Sequence, residues 1–124
     1  MSDSYVTELY TGKSWERTFQ IFSDTAMTTP RPFVTGESLR AQMRETPGGP
    51  VIATPTAAIV SAVDGTGKIS LTDEVTAVIV TARQFGVAKI YWIDVDRISG
   101  TDIWPLMQIK VYVKAGVTQV VVVT

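Results

Sequence analysis

The sequence predicts an all-β fold, a two-layer sandwich, and three observations carry that expectation. The chain is rich in Val and Thr, whose branched β-carbons suit a pleated strand and restrict helix rotamers. Several stretches alternate apolar and polar residues with period two. Gly, Pro and Asp-Gly turn signals recur at intervals of about ten residues, the spacing of short antiparallel strands. With 124 residues one domain is expected over 1–124, because division would starve two cores.

Residues 1–12 read as an extended arm. Trp15 to Ile21 alternates, apolar at odd positions except Arg17, and reads as a half-buried strand. Ser23 to Gly36 carries Pro30, Pro32 and Gly36 and suits a long connection that passes from one sheet to the other. Leu39, Ala41 and Met43 share one face of a second strand that ends at the Pro47-Gly48-Gly49-Pro50 turn. Val51–Ala53 is a short extended piece. Ala57 to Val63 leads into Asp64-Gly65, which supplies hairpin chemistry, and Lys68 to Leu71 returns.

Thr72 to Arg83 is the helix candidate. Thr72 can cap, Asp73 and Glu74 favour the positive end of the helix dipole, and Val75, Val78, Ile79 and Ala82 share a face. Gly86 then marks a stop. In Ala88 to Val95, Ile90 and Trp92 lie on one face and Tyr91, Ile93 and Val95 on the other, so burial on both faces and a central place are expected. Ile103 to Val113 is a further strand in which Pro105 suits an edge, a start or a bulge. Val117 to Thr124 closes the sequence as a valine strand. The inventory is an immunoglobulin-like antiparallel β-sandwich of about seven to eight strands with one short helix.

Composition excludes several functions. The 11 basic and 12 acidic residues leave a net charge of −1, and the cations are dispersed, so no nucleic-acid partner is expected. No His and no Cys are present, which removes the commonest general base, thiol nucleophiles and the best transition-metal ligands. No enzyme activity, cofactor or metal site is expected. Met1 to Tyr5 lacks the basic and apolar regions of a secretory signal, and apolar runs stay far short of the ~20 residues of a membrane span. Synthesis and folding in a cytoplasm, with no membrane partner, are the expectation.

Gly65-Thr66-Gly67-Lys68 hints at phosphate binding, but P-loop spacing is missing and Ile69 follows the lysine, so a hairpin turn is the better reading. Asp94, Asp96 and Asp102 could share calcium or act as an acid pair; a solvated strand end is the plainer reading. Of the three tryptophans, Trp15 or Trp92 belongs in the core. Trp104, beside Pro105 in an edge-like stretch, is the partner-facing candidate, since Trp is enriched at interface hot spots. Val120, Val121, Val122 and Val123 lie in an uncharged, β-prone run that needs a cover, either inside the sandwich or by strand addition to a neighbouring subunit. A small-molecule ligand is not expected.

Four motifs, taken in order, resemble a known group. They are Gly12-Lys13-Ser14-Trp15 before a strand, Leu39-Arg40-Ala41-Gln42-Met43-Arg44 with the Pro47-Gly48-Gly49 turn, Asp64-Gly65-Thr66-Gly67-Lys68-Ile69-Ser70-Leu71 leading to a short helix, and Ile90-Tyr91-Trp92-Ile93-Asp94-Val95. Over most of residues 10 to 124 the chain resembles the small β-sandwich domains encoded in tailed-phage structural gene clusters, similar to the N-terminal domain of baseplate upper proteins that anchor receptor-binding proteins. The resemblance implies a virion structural protein of the tail, baseplate or neck that binds other virion proteins and forms a homo-oligomer, and it supplies no catalytic residues. Those relatives usually continue into fibre or stalk domains, whereas this sequence stops, so its station in the virion stays open. A capsid decoration (cement) protein is the alternative within the class; a carbohydrate-binding or enzymatic module is the alternative outside it.

Overall fold

Inward-facing residues at every second position build two sheets that close on one core. The computed structural model describes residues 3–79 and 88–115. The elements are β1 (Asp3–Tyr10), β2 (Trp15–Gln20), β3 (Glu37–Arg44), β4 (Val51–Ala53), β5 (Thr56–Ser61), β6 (Thr66–Leu71), α1 (Asp73–Ala77), β7 (Lys89–Ser99) and β8 (Asp102–Lys114). One sheet has the order β1-β8-β7-β3-β4 and the other β2-β6-β5. The orders β8-β7-β3-β4 and β2-β6-β5 are those of a variable-type immunoglobulin sandwich. Over the described residues the chain is therefore an all-β sandwich of this kind with one short helix.

Between the sheets, Met43, Ile69, Ile93, Val95, Val111 and Val113 are fully buried, with Trp15 at the β2 end. Each strand contributes its alternate residues: Ala41 and Met43 from β3, Tyr91, Ile93 and Val95 from β7, Ile109, Val111 and Val113 from β8. Among the described residues no helix is long and apolar enough to cross a membrane.

Three details depart from the expectations. Residues 3–10 are extended, but as a sheet strand whose Leu9 is buried, and β1 runs parallel to β8, from Asp3↔Met107 to Tyr10↔Lys114. The pairing is thus not wholly antiparallel, because the turn after Tyr10 carries the chain from one sheet to the other. Second, β7 is central, yet only its Tyr91 face is fully buried. Ile90 is 39% exposed, and Trp92 is half-buried with the Lys110 ammonium 5.7 Å from its ring.

Third, α1 is only five residues long. The N–H groups that follow it, of Val78 and Ile79, bond three residues back to Val75 and Thr76. The branched residues there lose rotamer freedom in a helix, so the turn tightens and stops. Residues 80–83 and Gly86 lie outside the described residues. Thr72 caps as expected, its Oγ1 accepting from the Val75 N–H at 3.3 Å. Thr72→Ala is expected to lower unfolding stability by about 1 kcal/mol, readable as a shift in urea midpoint. The valine run, with Val120, Val121, Val122 and Val123, also lies outside the described residues.

Candidate interface at the hairpin end of the sandwich

The β2–β3 connection (21–36), the β5–β6 turn and the β7–β8 hairpin gather at one end of the sandwich. β8 extends past β1 there: among the described residues β1 pairs only from Met107 onward, so Asp102 to Leu106 has β7 on one side and no described strand on the other. Pro105 belongs in such a place, since its missing N–H would interrupt an interior ladder. The register with β7 also slips here. Val95 faces Met107 while Asp96 faces Pro105, which leaves Leu106 as the extra residue of a bulge.

The geometry exposes the apolar side chains in front of the bulge. Ile103 and Trp104 are each 51% exposed, and Pro105 is exposed beside them. The Trp104 indole is not loose, because the Arg97 guanidinium, its cross-strand partner, lies 5.6 Å from the ring centroid. Arg97 is fixed in turn by Glu37, whose Oε2 is 3.0 Å from Nε. That ion pair is too oblique for a hydrogen bond, so its attraction is mainly coulombic.

Glu37 is the hub of this end. Its side chain is 3% exposed, it accepts from the Val34 N–H at 2.7 Å, and Arg31 grips both carboxylate oxygens at 3.3 Å. Burial alone would raise its pKa. The Val34 amide, the Arg31 hydrogen bond and the charges of Arg31 and Arg97 outweigh burial and hold the carboxyl below the usual glutamate value.

The long connection is ordered by local bonds. The Asp24 carboxylate accepts from the Thr28 hydroxyl and from the Thr28 and Thr29 amides; the Thr28 hydroxyl contributes most to lowering its pKa. Ser23 N–H bonds Thr29 O, and Phe22 bridges Pro30. The resulting loop presents Met27, 63% exposed with φ of 59°. Met27, Phe22, Tyr5, Pro105 and Met107 line a groove of about 590 Å³.

Other sequence candidates fall elsewhere. Asp94 is taken by Arg44 at 3.0 Å and Gln108 at 3.1 Å, and Asp96 by Arg40 at 2.9 Å. Asp102 stands at the hairpin tip. The three acids therefore do not converge; two are already neutralised by their own arginines. Among the described residues no group of acids could hold a metal ion. Gly65 lies in the β5–β6 turn and Gly67 within the ladder of β6, while Lys68 faces Glu16 at 3.6 Å. The Gly65 N–H closes the turn onto Ala62 O at 3.3 Å and Gly67 pairs with both neighbouring strands, as the hairpin reading expects.

Sequence reasoning singled out Trp104 and Pro105 as candidates and gave no place to Glu37, Arg31, Arg97, Met27 or the groove. The Pro-Gly-rich connection was visible, yet which charges it would carry to β7 was not, because Arg97 meets Glu37 only across the fold. No protein-family model matches the chain, and no curated protein matches it significantly.

Proposed function

We propose that this chain is a bacteriophage virion structural protein, a subunit or adaptor of the tail, baseplate or neck that self-associates and binds other virion proteins. The observation that carries the reading is the rigid, exposed Ile103-Trp104-Pro105 stretch. A half-exposed Trp stacked on an arginine that is itself anchored by a buried carboxylate is a pre-organised aromatic anchor, the feature that dominates protein interfaces. The sequence resemblance to phage sandwich domains supplies the biological setting. Occupied carboxylates and the absence of His and Cys favour passive shape complementarity over chemistry.

Two measurements test it. Antibody against the purified protein should label particles released from the host that encodes it, at the tail or neck, and the chain should be found by mass spectrometry of those particles; a chain absent from purified particles sinks the reading. Label over the head would move the assignment to a decoration protein. In solution, Trp104→Ala is expected to lower the association of the purified protein in sedimentation while changing unfolding stability by about 1 kcal/mol or less, the worth of an exposed cation–π contact.

A further inference from the structure

Among the described residues each sheet has two outer strands, and the four are not alike. β4 is three residues long and slips against β3 between Met43 and Arg44; β5 slips against β6 between Ile59 and Ser61. Shortness and bulges blunt an edge against further pairing. β1 and β2 have neither device: they are eight and six residues long, in unbroken register with β8 and β6. Among the described residues no strand pairs with the outer edge of either.

These two strands face one another along one side of the sandwich, with Arg17 Nε donating to Thr7 Oγ1 at 3.1 Å. The groove between them continues from the hairpin end as a second hollow of about 300 Å³, and Tyr5, Phe19, Gln20 and Met107 line both parts. Its floor is the core itself, Ile69 and Ile109. An extended segment laid along β1 would send every second side chain onto that floor.

The sequence after β8 has the matching chemistry. Val117-Thr118-Gln119-Val120-Val121-Val122-Val123 is uncharged and β-prone, and at about 3.3 Å per residue it would span about 23 Å, close to the length of β1. β8 delivers it beside Tyr10, at the far end of β1 from Tyr5 and Met27. To reach the outer edge of its own β1, Ala115-Gly116 would have to cross two strand spacings of about 4.8 Å each. It would also have to round Thr11, whose N–H holds Lys114 O at 3.0 Å. Two residues leave no slack for that path, whereas a second copy meets no such constraint.

We infer that the groove between β1 and β2 receives residues Val117–Val123 of a second copy of this chain, added as a strand at the β1 edge with alternate side chains over Met107 and Ile69. The inference rests on the self-association in the proposed function but uses a surface separate from Trp104. The sequence contains no cysteine, so introduced thiols are unique. Full-length Tyr5→Cys protein is mixed with Val121→Cys protein and treated with a short bismaleimide. The expected product is a mixed cross-linked dimer, formed several-fold more than when Val121→Cys is mixed with Lys68→Cys, which lies on the outer side of the smaller sheet.

Val121→Asp with Val123→Asp should lower the association measured by sedimentation without moving the melting temperature. No preference for Tyr5→Cys overturns the inference. So does a doubly substituted Tyr5→Cys, Val121→Cys chain that links within a single monomer. If Trp104→Ala dissociates the oligomer and the aspartates do not, the docking fails while the virion role stands. If the cross-link forms but the chain is absent from particles, the docking stands without that role.

Discussion

Gly65→Ala is expected to lower unfolding stability by about 3 to 5 kcal/mol, in the range reserved for a named structural lesion. Gly65 has φ of +67°, and a Cβ there would lie 2.1 Å from the Arg31 carbonyl oxygen, 3.0 Å from the Arg31 carbon and 3.2 Å from the Ile21 oxygen. All three are backbone atoms, so no side chain can swing aside. Those atoms cannot retreat easily, since Ile21 N–H bonds Gly65 O at 2.9 Å, Arg31 N–H bonds Ile21 O at 2.8 Å and Phe33 N–H bonds Ala62 O at 2.8 Å. The turn is thus stitched to the long connection that carries Arg31 to Glu37.

Gly48→Ala separates the two contributions. Gly48 has φ of +77° but open space around its Cβ position, so its substitution is expected to cost only about 1 to 2 kcal/mol of left-handed strain. Guanidinium unfolding of both variants measures the difference. Equal losses would mean that the connection yields and the clash is absorbed.

Glu37→Gln is expected to cost about 2 to 4 kcal/mol, because removing one partner leaves charge buried without compensation. The figure stays below that for a fully buried pair, since Arg31 keeps some access to water, its side chain being 32% exposed. Arg97, at 13%, bears the larger loss. Its release also frees the Trp104 ring, so the tryptophan emission should shift in the folded protein.

The same carboxyl predicts a pH dependence. Its folded pKa lies below the usual glutamate value of 4.5, so its contribution is fully present above pH 4.5, declines as pH falls through the folded value and is lost beneath it. Wild-type stability, followed by urea midpoint from pH 6 downward, should carry this acid-side loss, and Glu37→Gln should lack that component. Parallel curves for the two proteins would show that Glu37 does not carry the effect.

Much of the scaffold was legible because period two is a local signal. Trp15 to Gln20, Leu39 to Met43 and the Asp64-Gly65 turn each announce themselves within a few residues. β1 was not legible as a sheet strand, since only Leu9 of its inward positions is fully buried and Tyr5 and Thr7 face the groove. The helix length was overread because the spacing of Val75, Val78 and Ile79 ignores what branched carbons do to helix ends. At the candidate interface, Trp104 and Pro105 stood out by residue type, whereas the Glu37 hub depends on its contact with Arg97, which no window of sequence contains.

The parallel pairing of β1 with β8 also governs the order of events in folding. Asp3 meets Met107 and Tyr10 meets Lys114, so β1 leaves the ribosome well before the strand it pairs with and must wait for it. Hairpins such as β5–β6 and β7–β8 close small loops and can form early, but the β1 ladder requires closure of nearly the whole described chain, an entropic penalty that slows non-local pairing. Until β8 emerges, Leu9 has no core to enter and both edges of β1 are open. The larger sheet is therefore completed only after synthesis has passed Lys114, and the interval before that is when chains are most exposed to one another.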